Sequence, residues 1–531
     1  MASVVSRPAL PVALPWWKTY APAISHLLAV GLLLAASAPI LWFNAWTKAM
    51  PLEFAGLYTL AAETLVHNAY RLPDHLPFYG PGGTPFVYPP VGFYVMAFAT
   101  DLFNIPTLTY LRVVPAVLVS GIGIVAYIFA YLLFRSRLAA FAAALIFVST
   151  PELLQVELFA GGVIRALALL WLLAGLTTTY LTLITGRRCT VVLSGLLLGL
   201  AIMTHPSAVP FIAISLPALL LLQPSRGNTL RIGIIALLSL ITAAPWWATI
   251  LERHGVDAFT SASGVMPIVA AAHSPGPTAG IHSLVTAIAV RMSVTPSIWL
   301  PIAQCLAYIG AAYCLAVGRP VLPLWFLCCL ATLPLGIPYY YLPGSLMAAT
   351  MLMVMCDHAS SFRRQTAALH YSTLIVLLGF TLGYLWWRGF AWVRQQVPAL
   401  SEDDLAIGRW IQANTSENAT FLALSATGRE ADLEWFPYLL RRTPVFGKWG
   451  AEWTGRLAEE ERLQTASIEC TTTLTRGCIS RFLADNQLTP DYIILKGAQQ
   501  LHPLQQELEQ LQQMTVVFTT HEDAVLQRPR P

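Results

Sequence analysis

The chain has little charge. Only 11% of its 531 residues are charged, whereas 56% are hydrophobic, and the mean hydropathy is +0.62. This balance lies far outside the range of soluble globular proteins and excludes a water-exposed surface for most of the chain. It is typical of proteins that cross a membrane many times.

Acidic residues are scarce in the first three quarters of the sequence. Of the 27 Asp and Glu residues, 18 lie after Pro398, which leaves 9 before it. None lies in the middle of an apolar run, and this argues against a proton-coupled transporter. We therefore expect a membrane part over residues 1–397 and a polar, extracytoplasmic domain over residues 398–531.

The sequence also lacks the motifs of several other protein classes. It contains no metal-ligand spacing, phosphate loop or nucleophile elbow, and its first apolar run, His26 to Phe43, has no convincing cleavage site after it. Basic residues are scattered at the ends of apolar runs, so the net charge of +4 indicates no nucleic-acid partner. Of the 8 cysteines, Cys470 and Cys478 lie in the tail and could form a disulfide outside the cytosol.

Eleven apolar runs could cross the membrane, although several are shorter than the roughly 20 residues that a straight span needs. They are Leu27 to Phe43, Tyr110 to Phe134, Leu138 to Val148, Ile164 to Ile184, Val191 to Met203, Val209 to Leu222, Ile232 to Ile250, Ile298 to Val317, Val321 to Leu335, Leu342 to Cys356 and Ser372 to Trp387.

One further apolar stretch contains the paired prolines of Tyr88-Pro89-Pro90 and reaches Asp101 after a short run. If this stretch does not cross, every basic cluster between the spans falls on the cytoplasmic side with the N-terminus, as the positive-inside rule requires. These clusters are Arg135/Arg137, Arg187/Arg188, Arg226/Arg231, Arg319 and Arg363/Arg364. We therefore predict a multi-pass protein of the plasma (inner) membrane in which Tyr88 to Phe103 stays at the outer face.

The same topology places eight of the nine early acids outside. This indicates a functional site at the outer face, although long outer loops would also need polar residues. The first outer loop, residues 44–109, contains an amphipathic run up to Tyr70 that predicts an interfacial helix. In the tail, a capping box from Ser401 to Asp404 and three strand-like runs predict a small α/β domain. The three runs are Thr420 to Leu424, Asp491 to Leu495 and Thr515 to Phe518.

Several short motifs resemble the GT-C superfamily of membrane glycosyltransferases, in particular the branch of protein O-mannosyltransferases and lipid A aminoarabinose transferases. Glu53 matches the acid of the first outer loop, Tyr88-Pro89-Pro90 the aromatic-Pro-Pro element, and Tyr341-Leu342-Pro343 a late Tyr-x-x-Pro element. Gly195 to Gly199 with Thr204-His205 is similar to a glycine-rich span that ends in Thr-Lys. The resemblance implies an all-α bundle of about eleven membrane helices with a small C-terminal α/β domain.

The resemblance also implies a reaction. Such enzymes move a sugar from a polyprenyl phosphate to an acceptor, here an unidentified lipid, glycan or protein, beside the membrane lipids at the outer face. A carboxylate takes the acceptor proton, and cations or a divalent metal such as Mg²⁺ or Mn²⁺ steady the departing phosphate. Tyr88, Pro89, Pro90 and Tyr341 are implied substrate-binding residues. The sequence departs from the family pattern at two positions. Residue 53 is Glu instead of the usual Asp, and residue 205 is His instead of Lys.

Each candidate residue has a simpler alternative. Glu53 is the candidate base, but it also fits the first turn of a helix. Glu157 is the second candidate catalytic carboxylate; the alternative is that it is an ordinary loop residue in contact with solvent. Glu152 fits the start of a helix better than a catalytic role. Arg165 could bind phosphate or only extend to the membrane interface, and His205 could bind the donor or simply end a span.

Two other functions compete with a glycosyltransferase: a transporter or flippase of lipid-linked saccharide, and a non-catalytic membrane scaffold that presents the tail. A transporter should have polar or broken helices at the midplane of the membrane. The polar residues of this sequence collect at the outer side instead, which favours the enzyme.

The topology can be tested by cysteine labelling. Single cysteines introduced at Ser136 and Arg187 should react only after the membrane is opened to the cytoplasmic side, because both lie in loops that carry basic clusters. Labelling of both from outside would contradict the topology and the predicted side of the site.

Overall fold

The computed structural model describes residues 16–47, 50–159, 161–263, 282, 285–286, 301–333, 338–361 and 367–529. The membrane part is helical. Its helices are α1 (Trp16–Leu41), α2 (Phe43–Thr47), α3 (Gly56–His67), α4 (Val91–Ala97), α5 (Thr107–Phe134), α6 (Arg137–Val148), α7 (Pro151–Leu154), α8 (Gly162–Thr185), α9 (Arg188–Ile202), α10 (Ala208–Leu222), α11 (Arg226–His254), α12 (Asp257–Ser263), α13 (Pro301–Ala316), α14 (Val321–Thr332), α15 (Tyr341–Ser361) and α16 (Ala367–Gln395).

The eleven predicted apolar runs each fall on a different helix of this set, as far as the runs are described. In the described residues, four helices are long and apolar enough to cross a membrane by themselves: α1, α5, α8 and α11. Helix α6 and the segment Pro151–Phe159 pass the same test only together, with a bend of 57° between them. The fold is thus a bundle of apolar helices, and the number eleven stays a prediction.

The stretch after Tyr88 forms a helix that is shorter than a straight membrane span. Helix α4 continues into a π-helical turn, Phe98–Leu102, so that the two together have 12 residues. At 1.5 Å per residue this is about 18 Å, against about 30 Å for the hydrocarbon core. One face, with Phe93 and Met96, is buried, while Leu102 is 66% exposed. The predicted lack of a crossing stays a prediction, because α14, a predicted span, also has 12 residues.

Helices α9 and α11 approach so closely that only glycine fits at their contact. A Cβ atom built on Gly195 would lie 2.4 Å from the Cβ of Leu238, and one on Gly199 would lie 2.4 Å from the Cβ of Thr242. The glycine-rich span noted in the sequence therefore serves close helix packing.

The tail contains five strands and five helices. The strands are β3 (Thr420–Ser425), β4 (Thr443–Pro444), β5 (Tyr492–Lys496), β6 (Thr515–Thr519) and β7 (Ala524–Gln527), after a two-stranded ladder of β1 (His75–Leu76) and β2 (Thr84–Pro85) in the outer loop. The tail helices are α17 (Glu402–Asn414), α18 (Ala431–Leu440), α19 (Leu457–Thr473), α20 (Cys478–Asp485) and α21 (His502–Leu511).

The five strands of the tail form one sheet in the order β4-β3-β5-β7-β6. Strand β3 is parallel to β4 and β5, whereas β7 is antiparallel to β5 and β6. Three of the strands lie where the sequence predicts them. The capping box of α17 is present, with the Ser401 side chain accepting from the amide of Asp404. A disulfide joins Cys470 to Cys478 and so links α19 to α20.

The helix contact at Gly199 generates a stability prediction. Gly199→Ala should destabilise the protein by about 1–3 kcal/mol, because the new methyl group meets Thr242 and must push the two helices apart. Gly233 in α11 is the matched control, since nothing lies within 4 Å of a Cβ built there. Gly233→Ala should leave the melting temperature in detergent unchanged or slightly higher. Equal melting of the two variants would contradict the proposed close contact.

Candidate functional site

A buried carboxylate, Glu434 of α18, joins the tail to the outer loop. Its oxygens accept hydrogen bonds from the backbone amides of Ala55, Gly56 and Leu57 at 3.0, 2.8 and 2.6 Å. The hydroxyl of Tyr79 donates to the same carboxylate at 3.1 Å. Glu434 therefore caps the N-terminus of α3 from the tail.

This arrangement corrects the alternative reading of Glu53 as a helix-start residue. Glu53 precedes α3 and has a backbone φ of +57°, which is outside helical geometry. Its carbonyl accepts from the indole nitrogen of Trp435 at 3.0 Å, so the tail also holds this residue in place. A left-handed backbone is uncommon for a side-chain-bearing residue and costs about 1–3 kcal/mol, a cost that recurs at functional sites.

Glu53 lines a cavity of about 600 Å³ at the junction of the outer loop, the start of α8 and the tail. Each of these three parts contributes charged or aromatic side chains to the wall. The wall residues that carry polar or aromatic groups are Glu53, Phe54, Tyr58, Tyr88, Gln155, Arg165, Arg429, Glu430, Glu434, Lys448, Trp449 and Glu452. The cavity therefore presents both carboxylates and cations to whatever binds in it.

Burial and the tail together control the charge of Glu53. Partial burial raises the pKa of the Glu53 carboxyl; the Arg429 guanidinium acts against this rise, while Asp432 adds to it. Arg429 is itself held by Asp432 at 2.6 Å and by the carbonyl oxygens of Val397 and Pro398, both at 3.1 Å. The end of the membrane part and the tail therefore fix the cation that faces Glu53.

The Tyr-Pro-Pro elbow forms another part of the wall. The Tyr88 hydroxyl donates to Glu452 at 2.9 Å, and its ring packs against Trp453 with 5.3 Å between centroids. Burial raises the pKa of Tyr88 well above its usual range, and the charge of Glu452 adds to this rise. Pro89 and Pro90 are both buried, and Pro90 directly precedes α4. The elbow therefore places Tyr88 as a hydrogen-bond donor beside the tail.

Arg165 lies in the first turn of α8 and forms the inner wall of the cavity. Its guanidinium carbon is 5.2 Å from the centre of the Phe54 ring. It also interacts electrostatically with Tyr58, Glu157 and Glu452. A side chain among these groups does not extend to the lipid interface, so the structure does not support that alternative for Arg165.

Glu157 and His205 lie behind Arg165 and are not part of the cavity wall. Glu157, in the π-helical turn Gln155–Phe159, is fully buried, which overturns the reading of loop solvation. His205 is 5% exposed, and its Nδ1 lies 2.7 Å from the Ser207 hydroxyl. The segment that carries His205 is tied to the elbow, because the amide of Val91 donates to the carbonyl of Met203 at 2.9 Å.

Tyr341 is the one predicted site residue that belongs to a different environment. It is buried, its ring centroid is 4.4 Å from that of Tyr340, and its hydroxyl interacts with Glu152. Glu152 lies in the first turn of α7, as its sequence position indicates. Tyr341 is not among the residues that line the cavity at Glu53, so the structure does not bring it together with Tyr88 and Arg165.

No motif in the sequence predicts the wall residues that the tail supplies. Arg429, Glu430, Lys448, Trp449 and Glu452 come from loops and short turns that follow no recognisable motif. Lys448 forms an ion pair with Glu430 at the cavity. The only signal in the sequence was the excess of acids after Pro398, which does not single out any of these positions.

The carboxylates of the cavity do not combine into a metal site. In the part of the chain that the structure describes, no group of three His, Cys, Asp or Glu side chains could hold a metal ion. The Glu434 carboxylate accepts hydrogen bonds from three backbone amides. Glu430 forms an ion pair with Lys448, and Glu452 accepts a hydrogen bond from the Tyr88 hydroxyl. The cations that face the cavity are Arg165, Arg429 and Lys448.

Comparison with known sequences gives a limited result. A family profile described as "6-pyruvoyl-tetrahydropterin synthase related domain; membrane protein" matches residues 87–275. A comparison with curated protein sequences finds no match.

Comparison with solved structures identifies the fold. The archaeal oligosaccharyltransferase AglB from Archaeoglobus fulgidus, in complex with an inhibitory peptide and a dolichol-phosphate, matches with a TM-score of 0.61 at 13% identity. The match covers 91% of this chain and 70% of that chain. ArnT from Cupriavidus metallidurans, bound to undecaprenyl phosphate, matches with a TM-score of 0.52 at 14% identity, covering 94% and 97%. The chain therefore has the fold of GT-C membrane glycosyltransferases, in agreement with the motifs of the sequence.

The role of Glu434 can be tested by its amide variant. Glu434→Gln replaces one acceptor oxygen with an NH₂ group that faces backbone amides, so at least one buried N–H loses its partner. We expect a loss of about 1–3 kcal/mol of stability and faster proteolysis of the tail. Glu459→Gln, an exposed acid in the first turn of α19, is the control and should behave as wild type. If both variants melt alike, the cap does not hold the tail.

Proposed function

We propose that the protein is a membrane glycosyltransferase, hexosyl- or pentosyl-transferring, that uses a polyprenyl-phosphate sugar as donor. The observation that carries the proposal is the cavity that Glu53 lines together with the three cations Arg165, Arg429 and Lys448. A phosphate leaving group requires such cations, and an acceptor hydroxyl or amine requires such a base. The fold, shared with solved GT-C structures, supports this assignment.

The donor class is inferred from the neighbours and from the charges of the cavity. The two neighbours were solved with dolichol-phosphate and with undecaprenyl phosphate. In this chain, Arg165 lies in the first turn of a long apolar helix, where a phosphate at the membrane surface can reach it while its lipid chain stays in the bilayer. A guanidinium binds phosphate with charge-assisted hydrogen bonds. We assign Arg165 to the donor phosphate, with the ring of Tyr88 beside it in the cavity wall.

The proposed reaction is a direct displacement at the anomeric carbon. A lone pair of the acceptor oxygen or nitrogen forms the new bond, while the bond to the phosphate oxygen breaks and that oxygen keeps the electron pair. Glu53 takes the proton that the acceptor loses. Arg165, Arg429 and Lys448 stabilise the charge that develops on the phosphate. A divalent cation could add to this charge stabilisation, but no step depends on one.

We place the reaction at the extracytoplasmic face of the plasma (inner) membrane, with the N-terminus in the cytoplasm. The disulfide between Cys470 and Cys478 supports an oxidising compartment for the tail. In the proposed division, residues 1–397 hold the donor in the membrane and residues 398–531 close the cavity from outside. Glu157, the second carboxylate predicted from the sequence, lies behind Arg165, and we assign it no proton transfer.

The base can be tested by Glu53→Gln in purified protein supplied with a panel of undecaprenyl-phosphate hexoses and pentoses. The substitution keeps the size of the side chain and removes the proton acceptor, so transfer should fall by roughly two or more orders of magnitude. Glu252→Gln removes an exposed acid that does not line the cavity and should leave transfer unchanged.

The pH profile provides a second readout of the same residue. Transfer needs the ionised form of Glu53, which exists above its pKa and is lost as the pH falls through it. Because burial raises this pKa, the activity of the wild type should decline at a higher pH than an exposed glutamate would allow. The residual activity of Glu53→Gln should lack this decline. Near-normal transfer by the Gln variant would exclude Glu53 as the base.

A further inference from the structure

A connected group of buried polar side chains lies behind Arg165. Glu157 is fully buried, and it interacts with the Tyr339 hydroxyl, which lies 3.2 Å from the Ser207 hydroxyl. Ser207 in turn contacts Nδ1 of His205 at 2.7 Å. Arg165 interacts electrostatically with both Glu157 and His205. These side chains therefore form one network at the inner side of the cavity.

Several polar atoms of this network have no partner. Within the described residues, neither carboxylate oxygen of Glu157 takes part in a hydrogen bond, and the same holds for Nε2 of His205 and Nε of Arg165. Nδ1 of His205 is engaged by the hydroxyl of Ser207 at 2.7 Å and by its amide at 3.3 Å, so Nε2 is the ring nitrogen that can contact a ligand. The network therefore presents unused acceptors on Glu157, an unused ring nitrogen on His205 and an unused donor on Arg165.

Burying these polar atoms without hydrogen-bond partners costs free energy of folding, unless a ligand supplies the missing partners. A buried polar group without a partner costs about 1–3 kcal/mol, and native proteins keep few of them. Phosphate alone does not suit the set, because it would meet the Glu157 carboxylate. An ammonium group would meet the Arg165 guanidinium. A hydroxyl group donates one hydrogen bond and accepts others, so a neutral polyhydroxyl compound satisfies all the unused atoms.

The network also lies next to the place assigned to the donor. The ring of Tyr88, a wall residue of the cavity, is 6.3 Å from the ring of His205 between centroids. Arg165 belongs to both the wall and the network. A sugar attached to a phosphate at Arg165 could therefore direct its hydroxyl groups toward Glu157.

We propose that Glu157, His205 and Arg165 bind adjacent hydroxyl groups of a neutral donor sugar and so select the donor. Two neighbouring hydroxyls donate to the two oxygens of Glu157, accept from Nε of Arg165 and form a hydrogen bond with Nε2 of His205. The inference rests on the proposed function, since it assigns a substrate class to the same site. It changes the role of Glu157 from a catalytic carboxylate to a residue for sugar specificity.

Binding to the full-length protein in detergent tests the proposal. The probes are undecaprenyl phosphate without a sugar and the same lipid phosphate carrying mannose, glucose or galactose. Glu157→Gln should weaken the binding of the preferred sugar-bearing probe by about 10- to 100-fold, because a charge-assisted hydrogen bond is lost. It should not weaken the binding of undecaprenyl phosphate. His205→Phe should have the same pattern, and Glu252→Gln should bind every probe as wild type does.

The stability of Glu157→Gln separates this role from a structural one. The substitution removes a buried carboxylate whose oxygens have no hydrogen-bond partner in the described residues, and it keeps the size of the side chain, so the variant should melt at the same temperature as wild type or higher. A lower melting temperature would identify Glu157 as a structural partner and overturn the proposal.

The other outcomes are also decisive. Weaker binding of both probe types to Glu157→Gln would mean that Glu157 only positions Arg165. Unchanged binding of all probes would mean that the network holds water alone. Either result would overturn the proposal for the sugar while leaving the glycosyltransferase in place. If wild type binds neither the bare lipid phosphate nor any sugar-bearing probe, the proposed function fails instead.

Discussion

The arrangement of the site depends on a single buried carboxylate. Glu434 enters the N-terminal end of α3, where three backbone amides have no helical partner, and accepts a hydrogen bond from each. The positive end of the helix favours a negative charge at this point. Because Glu434 comes from the tail, this contact fixes the tail over the outer loop, and the neighbouring Trp435 fixes the backbone of Glu53.

This docking determines the chemistry of the cavity. Helix α8 of the membrane part supplies Arg165, the outer loop supplies Glu53 and Tyr88, and the tail supplies Arg429, Lys448 and Glu452. Arg429 also binds the carbonyl groups that link the last membrane helix to the tail, so the cation beside Glu53 depends on the position of that link. Opposite charges from distant parts of the chain thus meet in a space of about 600 Å³.

The membrane helices provide a rigid support for these contacts. Helices α9 and α11 pack through glycines, and the segment after α9 is tied to the Tyr-Pro-Pro elbow by the bond between Val91 and Met203. The elbow is followed by α4 and its π-helical turn, which together are shorter than a straight membrane span. The elbow folds back beside α8 and supplies Tyr88 to the cavity and a neighbour to His205.

The sequence by itself determined the features that depend on local physics. Apolar runs predict the membrane helices, short alternating runs predict three strands of the tail, and the residues from Ser401 to Asp404 predict a capped helix start. The cap of α3 could not be predicted from the residues around α3, because Glu434 lies 379 positions from Ala55 along the chain. For the same reason the sequence left open whether Glu53 is a base or a helix-start residue, and whether Glu157 is catalytic or merely solvated. Only the tertiary structure decided which carboxylate caps the helix, which one faces the cavity and which one is buried behind Arg165, since burial and partners depend on contacts between distant segments.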